Sequence, residues 1–287
     1  MKVLVTGAGG QLGRMLCAAA PAGVTLDART SAQLDVSDLA EVSRVVAETR
    51  PEVIINAAAY TAVDRAEQEP GHAHAVNALG PAHLAQAATQ CAARFIQVST
   101  DYVFDGTSAR PYRPLDACHP LGVYGASKRA GEEAVLASAA QGLILRTSWL
   151  YAAQGNNFVR TMLRLMTERD ELGVVADQVG SPTWAGTLAQ ALWAAAQRSQ
   201  LHGLYHWADL GVASWYDFAV AIQEEALTLG LLTKAIPIRP LRSEAYPTPA
   251  RRPAYSVLDS VDARRDFAVD GIHWRVALRL MLKELAG

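Results

Sequence analysis

Five short apolar runs punctuate the first half of this chain: KVLVT (2–6), VTLDA (24–28), VIINA (53–57), RFIQVS (94–99) and LILRT (143–147). They are apolar at successive positions, which suits strands buried on both faces. Between them lie alanine-rich stretches, QLGRMLCAAA, LAEVSRVVAETR, AHLAQAATQCAA and SKRAGEEAVLASAA, that read as helices. Strand and helix in regular alternation build a parallel sheet with helices on both sides. The expected fold class is therefore α/β with a doubly wound parallel sheet.

The first strand runs into TGAGGQLG. Gly7, Gly10 and Gly13 stand three apart, Gly9 lies within the same loop, and Gln11 and Leu12 open the helix that follows. Glycine lets backbone approach a pyrophosphate closely, and the helix N-terminus supplies free N–H groups with a partial positive charge. A glycine turn at this place, straight after a first strand, predicts a Rossmann-like dinucleotide site. Two residues near the second strand compete over the adenosine end: Asp27 can hold a ribose hydroxyl, while Arg29 can take a 2′-phosphate. Either can also be a plain strand-end residue, and Asp35 and Val36 form a second candidate pair. After the third strand, Ala57, Ala58 and Ala59 leave room for a flat ring, although alanine also serves close helix packing.

The fourth run ends in QVSTDYVFDG and delivers Ser99, Thr100, Asp101 and Tyr102 to the same sheet edge. The next helix is expected to start near Tyr124, in VYGASKRAGE, with Lys128 four residues on and facing the same way. Carbonyl reduction puts negative charge on oxygen as hydride arrives at carbon, and a proton donor beside that oxygen removes it. A free tyrosine, with pKa near 10, is a poor acid at neutral pH. A neighbouring ammonium is expected to lower it, so Lys128 would tune Tyr124 while Thr100 holds the carbonyl.

The character of the chain changes near residue 149. All six tryptophans lie from Trp149 onward, with proline-rich irregular stretches such as PIRPLRSEAYPTPARRP (237–253). The expected organisation is a dinucleotide-binding domain over 1–148 and a smaller C-terminal α/β substrate lobe over 149–287. That lobe is discontinuous, because a helix around 184–198 and the strand-like LYHWA (204–208) return to the sheet. Helices near 215–230 and 273–286 complete it.

Composition narrows the function classes. The net charge of −2 recruits neither nucleic acid nor anionic lipid. No apolar run reaches the roughly 18 residues of a membrane span, and the first residues do not make a signal peptide. Three cysteines without a CxxC argue for a reducing cytoplasm and against a disulfide framework or structural zinc. His72 and His74 lack further ligands at suitable spacing, so no metal is expected.

TGAGGQLG, NAAAYTAVD, STDYVFDG and YGASK together resemble the extended short-chain dehydrogenase/reductase superfamily. RTSWLY (146–151), GNNFVRTML (155–163), DQVGSPTWA (177–185) and AYPTPARRPAYSVLD (245–259) narrow the resemblance to the dTDP-4-dehydrorhamnose reductases. It covers essentially the whole chain. It implies reduction by NADPH or NADH of the C4 ketone of dTDP-4-dehydro-β-L-rhamnose, giving dTDP-L-rhamnose. It makes Thr100, Tyr124 and Lys128 the catalytic trio, with Tyr124 and Lys128 also touching the cofactor. Thr100, Asp101, Tyr102, Tyr124 and Trp149 would meet the nucleotide sugar, with Asn157 and Arg252 at its diphosphate; Trp149 can equally be core. Two positions depart from the pattern: Gly122, where relatives usually carry a polar residue, and Trp184, where many carry a smaller one. Some relatives bind magnesium at a dimer contact; no complete acidic set matches here, so no metal is carried over and a homodimer stays open. A nucleotide-sugar 4-epimerase shares the Tyr and Lys, and the regulatory subunit of methionine adenosyltransferase shares the fold without catalysis. A 4,6-dehydratase is disfavoured, because Tyr102 stands where such enzymes carry a glutamate.

Overall fold

The computed structural model describes residues 1–138 and 140–286. Ala139, in the fourth predicted helix, and Gly287, at the end of the predicted second lobe, lie outside the described residues. Strands β1 (Lys2–Thr6), β2 (Thr25–Arg29), β3 (Val53–Asn56), β4 (Arg94–Thr100) and β5 (Gly142–Thr147) join Gly203–His206 in one 6-stranded sheet. All its pairings are parallel, in the order β2–β1–β3–β4–β5 and then Gly203–His206.

Alternate side chains of β1, β3, β4 and β5 feed two different cores, as the strand period of two requires. Strand β2, at the sheet edge, has no buried residue, so the expectation of two-sided burial for VTLDA is corrected. Val3, Val5, Ile55, Ile96, Leu143 and Leu145 pack with Leu12, Leu16 and the helix Ala185–Ala196 on one face. Leu4, Ile54, Phe95 and Ile144 pack on the other face against the helices Leu39–Thr49 and Gly80–Gln90. The chain leaves β1 for β2 on one side and later returns to β3 on the other. Loops diverge at that reversal and open a crevice at the carboxyl ends of the strands, where ligands of such sheets bind.

The helix expected over AHLAQAATQCAA is longer than its sequence pattern. It begins at Pro70, passes through a π-helical turn at Ala75–Leu79 and continues as Gly80–Gln90. A π turn inserts an extra residue and re-aims its neighbours, and such turns recur at functional sites. Here it presents Asn77 to the sheet edge.

A third core lies beyond residue 149. Tyr151, Val159, Met162, Phe218, Ile222, Trp274 and Met281 are buried together. They come mostly from the helices Phe158–Glu168, Trp215–Thr228 and Trp274–Ala286. Asn157 caps the first by accepting from Arg160 N, and Ser214 with Asp217 forms a reciprocal capping box on the second. Short strand pairs join this layer: Leu172–Val175 with Ile238–Leu241, Val179–Gly180 with Ala213–Ser214, and Leu150–Tyr151 with Thr183–Trp184. Among the described residues, no helix is long and apolar enough to cross a membrane.

Candidate active site

The glycine turn after β1 packs backbone against backbone. Gly7 has φ 69°, and a Cβ there would fall 2.5 Å from Ala58 N. A Cβ on Gly13 would fall 2.1 Å from the Gly7 carbonyl oxygen. Neither position tolerates a side chain, so the loop, the helix Gln11–Ala18 and the turn after β3 are held in one tight wedge. Gly10 is the N-cap of that helix, without a side-chain cap and without an acidic residue in the first turn. Its N–H groups therefore remain free for an anion. These features fit a dinucleotide: the wedge brings main chain to the pyrophosphate and the open helix start offers it donors.

A cavity of about 380 Å³ opens above this wedge. Gly10, Gln11, Leu12, Ala57, Ala58 and Ala59 line one part of it. Thr100, Asp101, Tyr102, Tyr124, Lys128 and Trp149 line the rest. Gly7, Gly9 and Gly13 build the loop beneath and are not in its lining. The four adenosine-end candidates also lie off it. Asp27 and Arg29 form a two-pronged ion pair at 2.6 and 3.1 Å. Asp35 is exposed and holds the Ser37 hydroxyl and N–H, while Val36 is buried against Gly80.

Lys128 is buried, and its Nζ donates to the Val98 carbonyl at 2.7 Å. That carbonyl also accepts from Gln97 Nε2 at 2.7 Å, Gln97 Oε1 accepts from Asn56 Nδ2 at 2.7 Å, and Asn56 Oδ1 accepts from the Thr6 hydroxyl at 2.5 Å. A buried row of amides thus crosses β1, β3 and β4 and ends at the ammonium. Burial pushes Lys128 down to about 8, and Glu132 one turn later pulls it back up. Burial pushes the Tyr124 phenol the other way, up to about 12, against the pull of the Thr100 hydroxyl beside it, and Asp101 adds to the rise. The expectation that Lys128 lowers Tyr124 is therefore corrected. Desolvation outweighs every other influence on the phenol, and the ammonium directs a proton at Val98 instead. Asp101 is itself raised by burial to about 6, opposed by hydrogen bonds from Ser256 and Thr100. The ring of Tyr102 stands edge-on to Tyr124 at 5.5 Å.

The far wall is aromatic. Trp149 has φ 46°, an unusual backbone for so large a residue, and its ring stacks on Trp215 at 3.5 Å and 3°. Gly180 makes this possible, since a Cβ there would lie 2.5 Å from the indole. Trp149 thus lines the cavity with one part and packs on the third core with another. Arg252 lies beside the Tyr102 phenol but spends its guanidinium on Asp64, at 2.9 and 3.2 Å, and on Thr248. Asn157 is engaged within the chain. Its amide donates to Gln11 Oε1 and to the Ala152 carbonyl, both at 2.8 Å, and its carbonyl caps a helix; Asn156 lines the cavity instead.

The model of the family described as RmlD substrate binding domain matches residues 1–286. The chain belongs to the RmlD family. It is 42% identical to a dTDP-4-dehydrorhamnose reductase of Aggregatibacter actinomycetemcomitans, over 97% of each chain. A crystal structure of a Clostridium acetobutylicum dTDP-4-dehydrorhamnose reductase superposes with TM-score 0.93 at 38% identity, covering 100% of both chains. A Bacillus anthracis dTDP-4-dehydrorhamnose reductase in complex with NADP superposes with TM-score 0.91 at 36% identity, covering 99% of each.

Several cavity residues of this RmlD-family chain escaped sequence reasoning. Val98, Thr147 and Ser148 sit at the carboxyl ends of β4 and β5 or just beyond, where the sheet edge alone would have flagged them, as it did Ser99. Trp215 gave only the diffuse signal of an aromatic-rich segment. Asn77 is off the cavity but holds it together: its Oδ1 accepts from Tyr60 N at 2.9 Å and its Nδ2 reaches the Tyr60 carbonyl and Ser127. The two departures from the RmlD pattern also find physical reasons. Trp184 lies over Gly186, where a Cβ would meet its ring at 2.6 Å. A Cβ on Gly122 would meet Glu67 Oε1, also at 2.6 Å.

Proposed function

We propose that the protein reduces the C4 ketone of dTDP-4-dehydro-β-L-rhamnose to the alcohol of dTDP-L-rhamnose, using NADPH or NADH. The reading is carried by one observation: Thr100, Tyr124 and Lys128 face the cavity that the glycine wedge opens. The reduced nicotinamide, when bound, supplies hydride to the ketone carbon. The chain's own residues handle the oxygen. Tyr124 keeps its proton across the neutral range, because its phenol stays neutral up to about 12. It is thus loaded as the donor at any pH well below that, and the incipient alkoxide, a far stronger base than the ketone, is what draws the proton off. Thr100 offers a hydroxyl to the same oxygen, and the Lys128 ammonium, held by the Val98 carbonyl, is offered as the cation that binds the cofactor's hydroxyls. One hydride and one proton account for the product.

Trp149 and Trp215 form a flat apolar wall suited to the face of a sugar ring, and Tyr102 closes the side next to the acid. Arg252, poised beside Tyr102, is offered as the diphosphate ligand; it would exchange Asp64 for phosphate oxygens. The test is cofactor oxidation on adding the dTDP-4-keto sugar. Stoichiometric loss of NADPH or NADH with formation of dTDP-L-rhamnose is expected. A sugar epimer without net oxidation, or binding without turnover, would reject the reductase reading.

A further inference from the structure

We infer that Glu67 is a positioning residue for the proton donor, capping from a distance the helix on which Tyr124 stands. The helix Val123–Ala137 begins after Gly122, which adopts an extended N-cap conformation and has no side chain with which to cap. The first N–H of that helix is nevertheless satisfied: Val123 N donates to Glu67 Oε1 at 2.8 Å. Glu67 lies 56 residues earlier and closes the short helix Val63–Ala66.

The fit is reciprocal. A Cβ on Gly122 would fall 2.6 Å from Glu67 Oε1, so the carboxylate fills the space where a capping side chain would begin. Glycine at 122 and glutamate at 67 are one cap divided between two segments. The negative charge also complements the positive end of the helix.

The consequence reaches the chemistry through position. Tyr124 is the second residue of this helix, in the turn that frays first when a start is uncapped. Thr61 and Val63, a few residues before Glu67, line the cavity. The carboxylate therefore ties a cavity wall to the turn that aims the phenol. Lys128 lies a full turn deeper, held by the Val98 carbonyl, and does not depend on the cap.

The inference rests on Tyr124 being the acid, and the experiment separates the two. Steady-state kinetics are combined with backbone amide exchange at Val123 and Tyr124, which reads the cap without any turnover. E67A should exchange faster there and lose kcat on the order of fivefold, the usual worth of a cap, with cofactor affinity unchanged. E67Q, which keeps an acceptor oxygen, should retain several-fold more activity than E67A. G122S alone should be impaired by its collision with Glu67, whereas E67A/G122S should recover both protection and kcat as the serine hydroxyl takes the vacated place. E67A indistinguishable from wild type, E67Q as slow as E67A, or a double variant no better than E67A would each overturn the cap. An inactive wild-type enzyme with intact exchange differences would strike at the reductase reading alone.

Discussion

Two helices begin at the rim of the same cavity, and both begin with glycine. Gly10 precedes Gln11–Ala18 and Gly122 precedes Val123–Ala137; both N-caps are extended and neither has a side-chain cap. At Gly10 no acidic residue stands in the first turn, and the free N–H groups face the cavity. At Gly122 the distant Glu67 takes the first N–H. The same local sequence feature, glycine before a helix, thus serves opposite ends. One start is left open so that a ligand's phosphate completes it; the other is completed by the chain itself, because a helix that must aim a phenol cannot wait for a ligand to become ordered. A helix start becomes an anion site only where the rest of the fold declines to fill it.

The largest expected effect tests the division of labour between the two helices. Y124F should lower kcat by about 10²- to 10⁴-fold, the range for losing a general acid, while cofactor affinity measured by fluorescence titration stays near wild type. Equal loss of binding and turnover would mean that the capped helix also builds the dinucleotide site, and the contrast would fall. Next in size is a variant that converts the open start into a closed one. G10D places a carboxylate where the phosphate should dock; cofactor affinity should drop more than tenfold, through competition for the same N–H groups and through charge. A Cβ at Gly10 meets only the Gly7 oxygen at 3.3 Å, so the melting temperature should move by no more than a few degrees. Unchanged affinity in G10D would show that the open start is not where the pyrophosphate rests.

The pH dependence sharpens the same contrast from the side of the ammonium. Lys128 is lowered to about 8 by burial, so its positive charge is present below that value and lost above it. Tyr124 holds its proton to about 12 and does not titrate in between. The profile of kcat/KM should therefore fall on its alkaline side from about pH 8, approaching tenfold per unit, and K128M should be slow with that limb removed. A limb that survives in K128M would assign the titration to some other group.

How much of this could be read from the chain follows from the range of each interaction. The inner strands of the sheet were legible because two-sided burial imposes β-branched and aliphatic runs on contiguous residues. The glycine turn was legible because backbone contacts at Gly7 and Gly13 admit no other residue. Tyr124 and Lys128 stood out because they share one helix face. What stayed hidden acts across the sequence. Glu67 meets Val123 over 56 residues, Asn77 meets Tyr60 over 17, and Arg252 meets Asp64 over 188. No local pattern encodes such pairs. Asp27 and Arg29 show the converse: both were visible, but their pairing with each other along one strand was not read from the sequence. The π turn at Ala75–Leu79 was hidden too, because one inserted residue leaves an alanine-rich helical pattern looking continuous.

A third helix start gives the smallest prediction and asks what becomes of a distant cap when it is buried. Ala185–Ala196 follows Trp184, which has no side-chain cap to offer, and Trp184 N donates to Asp209 Oδ2 at 3.0 Å. Unlike Glu67, Asp209 is buried at 2% exposure, and desolvation raises its carboxyl from 3.8 to about 7 despite the hydrogen bonds from Thr187 and Trp184. A raised acid favours the folded state while it is protonated. Its contribution is complete below the ordinary carboxylate range and is lost as pH rises from there through about 7. D209N keeps an oxygen to accept from Trp184 N but never ionises. Its melting temperature should sit close to wild type near pH 4 and a few degrees above it at pH 8, where the wild-type carboxylate is charged in an apolar setting. Parallel curves for the two proteins across that span would mean that the buried cap stays ionised and that burial at Asp209 makes no difference to how this fold closes the helix.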